Sequence, residues 1–256
     1  DHLTQNSAGA DLSITTLSAR WSALALNGPQ ARHVLAACTG AGLDNAQLKW
    51  RTAQQITIAG PHVWALRMAY AGELGWELHM PNEACVDVYT ALSSAGQAYG
   101  IIDYGSFAMN VMRMEKAFKG AGELTNEVTL PEADVMRFVN SEKSYLGKAE
   151  THANADNLPW ICAYLEIEAD GQNDGHGGEA VLLDGRVVGT TASVVYGHTI
   201  GKILAFAYIK PDAATADRGL EVVIAGSARP ARILTEAAYD PQSLRPRSDE
   251  KSEAVA

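Results

Sequence analysis

The most informative segment of this chain is Tyr70-Ala71-Gly72-Glu73-Leu74-Gly75-Trp76-Glu77-Leu78. It follows a strand-like run over residues 63–69, and its glycines favour a loop that returns the chain into a second run over residues 76–80. The segment therefore predicts a β-hairpin. Because side chains alternate along a strand, we expect the large apolar residues of the second run on one face, and Glu77 and His79 on the other.

The two ends of this hairpin loop carry groups that suit a particular ligand. Tyr70 ends the first arm and Glu77 begins the second, so we expect a phenol and a carboxylate near each other at the mouth of the hairpin. A carboxylate beside an aromatic ring suits a flat heterocycle with two adjacent N–H donors, because two parallel charge-assisted bonds fix its orientation and the ring adds stacking area. A pterin is one such ligand. The alternative from the residues alone is an edge hairpin with a solvated Glu77.

Length, composition and charge restrict the class of protein. The chain has 256 residues, of which 47% are hydrophobic, enough to form the cores of one large or two ordinary domains. Its net charge of −10 argues against duplex nucleic acid or an anionic membrane as a partner, since both favour a basic surface. No apolar run is long enough to span a membrane, and the first residues do not resemble a signal peptide. We therefore expect a cytoplasmic protein, or a mitochondrial matrix protein in a eukaryote.

The distribution of potential metal ligands predicts no metal site. The cysteines Cys38, Cys85 and Cys162 lack C-x-x-C spacing, so neither a disulfide framework nor a zinc site is indicated. The histidines are scattered along the chain. Residues 170–179 resemble a calcium loop, but the closing position carries no acidic residue, and we expect a solvated hairpin loop there.

The motif Tyr-x-Gly-Glu-x-Gly-Trp-Glu at residues 70–77 is similar to the signature of the aminomethyltransferase (glycine cleavage T-protein) superfamily. Further stretches resemble motifs of the same family in the same order, and several short motifs in a fixed order are more specific than any one alone. They are Leu24-Ala25-Leu26-Asn27-Gly28-Pro29, Met112-Arg113-Met114-Glu115-Lys116, Pro131-Glu132-Ala133-Asp134, Lys143-Ser144-Tyr145-Leu146-Gly147-Lys148 and Val188-Gly189-Thr190-Thr191-Ala192-Ser193.

The last third of the chain has a different pattern. Short β-prone runs are separated by Asp/Gly turns such as Asp184-Gly185, and they lie at residues 161–167, 180–183, 186–188, 190–195, 204–209, 220–224 and 231–235. This spacing predicts a small antiparallel barrel. Two further patterns are local: residues 11–17 alternate in polarity like a strand, and residues 131–139 have the spacing of a short helix.

Together, the resemblance and the strand pattern predict an α+β protein with two domains. Residues 1–150 are expected to form a folate-binding domain of the T-protein type that is incomplete at its N-terminus, and residues 157–240 the barrel. We place the boundary in the polar stretch 151–157. The polar tail 241–256 is expected to be disordered.

The resemblance implies that Tyr70, Glu77 and Arg113 bind tetrahydrofolate, with Arg113 matching the arginine of the family's Leu-Arg-Leu-Glu motif. A rigid guanidinium at this position could hold a folate carboxylate. It could equally form an internal ion pair with Glu77 or Glu115, and the sequence leaves both alternatives open. Residues 119–124 lack the Gly-Lys-Ser/Thr ending of a phosphate-binding loop, and we expect a flexible crossover there.

No catalytic residue is assigned from the sequence. In the family, the aspartate proposed to assist chemistry at the folate nitrogen lies in a front portion that precedes the Leu-x-Leu-x-Gly-Pro motif. Here that motif lies at residues 24–29, and neither Asp1 nor Asp11 stands in a matching context. We therefore expect this chain to be a fragment or one subunit of a larger enzyme.

Two stretches, Glu115-Lys116 and residues 123–128, look more like the branch linked to dimethylglycine and sarcosine dehydrogenases. That branch implies capture of the methylene unit from oxidative demethylation of an N-methylated glycine-type amine, which gives 5,10-methylenetetrahydrofolate. FAD would belong to an oxidoreductase domain or subunit that acts as partner, because this chain has no flavin-binding glycine fingerprint. The alternatives are the glycine cleavage T-protein itself, which needs a lipoyl carrier protein, and a non-catalytic folate-binding or assembly module.

Overall fold

The structure is a computed structural model that describes residues 2–153, 155, 157–171, 174–214 and 219–249. Contacts divide the described chain into two compact units. The first, which we call the sheet unit, comprises residues 2–69, 73–103 and 244–249. The second, the barrel unit, comprises residues 70–72 and 104–243. None of the helices in the described part combines the length and apolar character needed to cross a membrane.

The sheet unit contains one antiparallel sheet and helices. Its elements are α1 (His2–Asn6), β1 (Trp21–Asn27), α2 (Ala31–Cys38), β2 (Ala53–Thr57), β3 (His62–Leu66), β4 (Gly75–Pro81) and α3 (Cys85–Gly96), with 3-10 turns at Asn82–Ala84 and Gln97–Tyr99. The strand order is β1-β4-β3-β2, so β4 lies between β1 and β3 and is a central strand. Helices α2 and α3 contribute to the hydrophobic core that covers one face of this sheet.

The predicted hairpin is formed by β3 and β4. Trp76, Leu78 and Met80 on β4 are fully buried in the core, whereas Glu77 and His79 are partly exposed. The alternation predicted from the sequence is therefore confirmed. It follows from the geometry of a strand with one buried face, because a shift of one residue in register would turn every apolar side chain toward water.

The barrel unit contains α4 (Ser106–Glu115) and α5 (Lys148–Ala153), then β5 (Ile161–Ile167), β6 (Ala180–Leu183), β7 (Arg186–Gly197), β8 (Lys202–Ile209), β9 (Leu220–Ile224) and β10 (Ser227–Leu234), with 3-10 turns at Met136–Phe138 and Pro211–Ala213. The six strands form a closed antiparallel barrel in the order β10-β5-β8-β7-β6-β9. The prediction of an α+β fold with a small antiparallel barrel is confirmed.

Helix α4 packs against the barrel through a second apolar cluster. Met114 on α4 is buried together with Tyr164, Leu204 and Phe206 from β5 and β8. The Tyr164 hydroxyl donates to the main-chain oxygen of Met114 at 2.7 Å. The end of α4 is thus joined to the barrel by apolar contacts and by a buried hydrogen bond.

The turn predicted at Asp184-Gly185 is confirmed in detail. Both residues have left-handed backbone conformations, with φ of 52° and 73°, as the tight turn between β6 and β7 requires. The following strand is longer than expected. β7 runs without interruption where the sequence predicted two strands, and its pairing with β8 shifts register between Thr191 and Ser193.

Two local predictions are wrong. Residues 11–17 are exposed and form no strand, because an isolated strand without a ladder partner leaves its backbone groups to water. Residues 131–139 form turns and a 3-10 segment in place of an α-helix. Asp134 has a φ of 52°, which lies outside the helical region and interrupts the predicted helix.

The prediction of a disordered tail needs correction over residues 241–249. The main-chain oxygens of Pro246 and Ser248 accept hydrogen bonds from the buried Arg67, at 3.5 and 3.4 Å. Asp249 pairs with the buried Arg32 at 2.8 Å. Buried guanidinium groups need acceptors, and this polar segment supplies them. Residues 250–256 lie outside the described part of the chain.

The domain boundary at residues 151–157 stays a prediction. It begins inside α5, and two of its positions, 154 and 156, lie outside the described residues. The contact-based units follow other limits, because α4 and the segment after it pack with the barrel.

Candidate functional site

Glu77 lies on the face of the sheet opposite the hydrophobic core. Its side chain is 34% exposed, and its Oε2 lies 3.3 Å from Nε2 of His79, two residues along the same strand. In this bond the imidazole N–H donates, since an ionised carboxylate can only accept. The neighbours in register are Ala25 on β1 and Leu66 on β3. The carboxylate is therefore accessible, flanked by small or apolar residues, and oriented by a histidine.

An aromatic side chain stands next to this pair. Trp64 on β3 lies directly opposite His79, and its side chain is 42% exposed. Residues directly opposite each other in an antiparallel pair share one face of the sheet. The outer face therefore presents an indole, an imidazole and a carboxylate side by side. An aromatic surface and a carboxylate acceptor are groups that suit a pterin.

Tyr70 belongs to the barrel unit and is held at both ends of its side chain. Its ring stacks on Phe118 with a centroid distance of 6.1 Å, and its hydroxyl donates to the main-chain oxygen of Lys119 at 3.1 Å. Burial raises the pKa of Tyr70, an effect that the Arg113 cation opposes and the Glu123 carboxylate reinforces. The phenol thus keeps its proton and donates it in a hydrogen bond to the main-chain oxygen of Lys119, so toward a ligand its oxygen can only accept a hydrogen bond.

Arg113 is buried on α4, and every N–H group of its guanidinium is engaged. Nε donates to Oδ1 of Asn110 at 2.9 Å. Nη1 donates to the main-chain oxygen of Phe118 at 2.9 Å and to Oε2 of Glu123 at 2.7 Å. Nη2 donates to Oε1 of Glu123 at 3.4 Å and to Oγ of Ser193 at 3.2 Å. These contacts account for all five donors of an arginine.

The internal ion pair that the sequence left open is present, but its partner is a different residue. Arg113 pairs with Glu123, and the predicted partners Glu77 and Glu115 have other contacts. Glu115 accepts from the main-chain N–H and the hydroxyl of Thr199, both at 2.7 Å. The pair with Glu123 forms because the loop after α4 turns back onto the helix.

The loop over residues 119–124 also differs from the prediction of a flexible crossover. Glu123 is fully buried, and its Oε2 accepts from the main-chain N–H of Gly120 at 2.7 Å. The loop is thus closed by its own carboxylate, which also pairs with Arg113. The sequence did not lead us to predict a role for Glu123. The feature that could have indicated it is a single acidic residue in a short glycine-rich crossover.

The structure brings two of the three predicted site residues together. Tyr70 and Arg113 both belong to the barrel unit, and both contact the loop at residues 119–123. Glu77 belongs to the sheet unit. The expected proximity of Glu77 and Tyr70, and folate contact by each of the three residues, stay predictions.

In the loop at residues 170–179, the acidic side chain of Glu179 is hydrogen-bonded by protein donors. Glu179 accepts from the main-chain N–H groups of His176 and Gly177 and from the hydroxyl of Thr191. Burial alone would raise the pKa of Glu179, but these hydrogen bonds outweigh it and the pKa is lowered. Among the described residues, no group of three histidine, cysteine or acidic side chains could hold a metal ion. Residues 172 and 173 of this loop lie outside the described part.

Two surface cavities are lined by residues other than the three predicted site residues. One of about 590 Å³ is lined by Ser141, Lys148, Ala149 and His152. The second, of about 500 Å³, lies on the barrel and is lined by Glu166, Lys202, Arg232, Pro241 and their neighbours. Tyr70, Glu77 and Arg113 line neither of these two cavities.

Comparison with known proteins gives consistent matches for both parts of the chain. Residues 1–143 match the family model described as the GCVT N-terminal domain, and residues 162–240 match the glycine cleavage T-protein C-terminal barrel domain. The crystal structure of the glycine cleavage system aminomethyltransferase T from Bartonella henselae shares the fold. Its TM-score is 0.79 at 18% identity, over 94% of this chain and 65% of that chain.

Curated relatives include a dehydrogenase and an aminomethyltransferase. Human mitochondrial dimethylglycine dehydrogenase is 36% identical over 232 residues, which are 89% of this chain and 27% of that protein. The aminomethyltransferase of Streptomyces coelicolor is 31% identical over 249 residues, which are 94% of this chain and 66% of that protein. The chain thus spans about a quarter of the length of the dehydrogenase. Since one family model covers more than half of its residues and a second covers the barrel, this chain belongs to the GCVT family, the family of the glycine cleavage T-protein.

Proposed function

We propose that this chain is the tetrahydrofolate-binding part of a one-carbon transfer enzyme. In this proposal it captures the methylene unit from oxidative demethylation of an N-methylated glycine-type amine and gives 5,10-methylenetetrahydrofolate. The choice of amine class is supported by the similarity to dimethylglycine dehydrogenase and to mouse sarcosine dehydrogenase, which is 31% identical over 193 residues. The observation that carries the binding proposal is the accessible Glu77 carboxylate, oriented by His79 beside an exposed indole.

The acceptor groups of the site fit a reduced pterin. The edge of this heterocycle presents an amino group and an adjacent ring N–H, both donors, which a single carboxylate can accept in parallel. Glu77 supplies that carboxylate. In the barrel unit, we propose Tyr70 and Arg113 as folate-contacting residues, as the family motif implies. The Tyr70 oxygen can accept a hydrogen bond from a ligand, because the hydroxyl proton is donated to the main-chain oxygen of Lys119. The donors of Arg113 are engaged by protein groups.

In the proposed methylene transfer, the role of this chain is to bind and orient the folate. A flavin on a partner domain or subunit would supply the two-electron oxidation that converts the N-methyl amine into an iminium ion, whose methylene carbon is electrophilic. The two folate nitrogens form bonds to that carbon, the carbon–amine bond breaks, and of the two N–H protons one leaves with the amine and one enters solution. The flavin would accept the electrons on a partner domain or subunit. A protein that holds the folate with both nitrogens accessible places them close to the iminium carbon. The reaction between folate and iminium ion then proceeds within one complex and does not depend on a chance encounter in solution.

Replacement of Glu77 tests the binding proposal. In Glu77→Gln one acceptor oxygen becomes a donor that faces a donor of the ligand, so tetrahydrofolate affinity should fall by roughly 1–3 kcal/mol, about 5- to 150-fold. Anaerobic calorimetric titration of the full chain measures it. Asp87→Asn makes the same chemical change at an exposed position on α3 and should leave the affinity unchanged. Equal affinities in all three proteins would contradict the assignment of Glu77.

The T-protein activity is the second candidate, favoured by the similarity to the Streptomyces aminomethyltransferase over 94% of this chain. The two functions need different partners. A pull-down with the full chain as bait should capture a yellow flavoprotein if the dehydrogenase-type assignment is right. Capture of a lipoylated carrier protein in its place would support the T-protein.

A further inference from the structure

The loop at residues 119–123 forms the support for the Tyr70 hydroxyl. The main-chain oxygen of Lys119 accepts the phenolic proton at 3.1 Å. The next residue, Gly120, donates its main-chain N–H to the buried carboxylate of Glu123, which in turn is paired with Arg113. The position of the Lys119 oxygen is therefore fixed by a buried ion pair.

Gly120 has no room for a side chain, and the reason is Tyr70. A Cβ atom added to Gly120 would lie 2.7 Å from the Tyr70 hydroxyl oxygen, a separation that requires one of them to move. The next nearest atoms, Cζ and Nη1 of Arg113, would be 3.7 and 3.8 Å away, which are ordinary contacts. The backbone of Gly120 lies outside the left-handed region, so alanine meets no conformational obstacle there. Space for the hydroxyl is thus the specific requirement for glycine.

We propose that Gly120 is a positioning residue that sets the hydrogen-bond role of Tyr70 toward the ligand. Because Gly120 lacks a side chain, the Tyr70 hydroxyl can reach the Lys119 oxygen and donate to it. The phenol is then an acceptor of fixed direction, and it selects a ligand group that donates an N–H or O–H. Displacing the hydroxyl would free its proton and lose that selection. This inference rests on the proposed function, since it assigns a ligand-facing role to Tyr70.

A double-mutant cycle with Gly120→Ala and Tyr70→Phe tests the inference. Gly120→Ala should weaken tetrahydrofolate binding roughly 2- to 12-fold, the worth of one neutral hydrogen bond. In the Tyr70→Phe background the clashing oxygen is absent, so the same change should have little further effect. The free energy of unfolding in urea should show the same coupling, because the clash exists without ligand.

The control is Gly219→Ala, a glycine-to-alanine change in the barrel unit where an added Cβ meets nothing within 4 Å. It should leave the affinity unchanged. Coupling between Gly120 and Tyr70 in both affinity and unfolding supports the inference. Independent, additive effects on affinity overturn it, as does equal affinity throughout the cycle. The proposed function is judged separately by Glu77→Gln, which is not part of the cycle.

Discussion

The Arg113 guanidinium and the Glu123 carboxylate form an ion pair in which both side chains are buried, with exposed fractions of 5% and 0%. Nη1 and Nη2 lie 2.7 and 3.4 Å from the two carboxylate oxygens. The pair joins α4 to the loop that follows it, and the loop supports Tyr70. The Arg113–Glu123 pair therefore supports, through this loop, the proposed ligand contact of Tyr70.

Breaking the Arg113–Glu123 pair should lower the free energy of unfolding substantially. Glu123→Gln leaves a buried guanidinium without its counter-charge, and we expect the free energy of unfolding to fall by about 3–5 kcal/mol. Urea denaturation measures it. Glu166→Gln breaks the pair with Arg232, whose side chain is 66% exposed, and should cost less than about 1 kcal/mol. Similar losses in the two variants would show that the Arg113–Glu123 pair contributes no more than a surface pair.

His79 should act on ligand affinity through Glu77. His79→Ala removes the donor that orients the carboxylate, and we expect tetrahydrofolate binding to weaken by about 0.5–1.5 kcal/mol. Both side chains are partly exposed, so the free energy of unfolding should change by less than about 0.5 kcal/mol. The matched control is His62→Ala, at an exposed histidine beside Thr57 in the β2–β3 hairpin. An equal loss of affinity in the control would argue against a role for His79.

The segment 244–249 should stabilise the sheet unit. Burial lowers the pKa of Arg67, the neighbouring Arg32 cation lowers it further, and Asp249 opposes both effects. Removing residues 244–256 takes away the main-chain acceptors of both arginines, and we expect a loss of about 3 kcal/mol or more in the free energy of unfolding. Asp249→Asn keeps those acceptors and removes only the half-exposed counter-charge of the buried Arg32, so it should cost less than the truncation. A truncated protein as stable as the full chain would contradict this role.

Cys162 should resist alkylation in the folded protein. Burial raises the pKa of its thiol to about 12, from an ordinary value of 9.0, so the reactive thiolate is roughly 1,000-fold scarcer at pH 8 than for an unperturbed thiol. Iodoacetamide labelling followed by mass spectrometry should modify Cys162 only after denaturation, and modify the half-buried Cys85 faster under native conditions. Rapid native labelling of Cys162 would show that this part of the barrel opens readily.

Local patterns were sufficient for much of the fold. Alternation along 76–80 predicted which face Glu77 occupies, and three barrel strands begin and end at the residues that the pattern indicated. The Asp184-Gly185 turn was predictable because its backbone conformation excludes most other residues. These features depend on residues that are neighbours in the chain.

The sequence by itself determined the family motif, the outward direction of Glu77 and the succession of barrel strands, because each follows from spacing within a few residues. Tertiary structure alone decided that Arg113 pairs with Glu123, that the Tyr70 hydroxyl donates to Lys119, and that the tail segment serves the buried arginines. Tyr70 and Lys119 are 49 residues apart, and Arg67 and Ser248 are 181 apart. A charged side chain has several possible partners at such separations, and only the packing of the folded chain selects one of them.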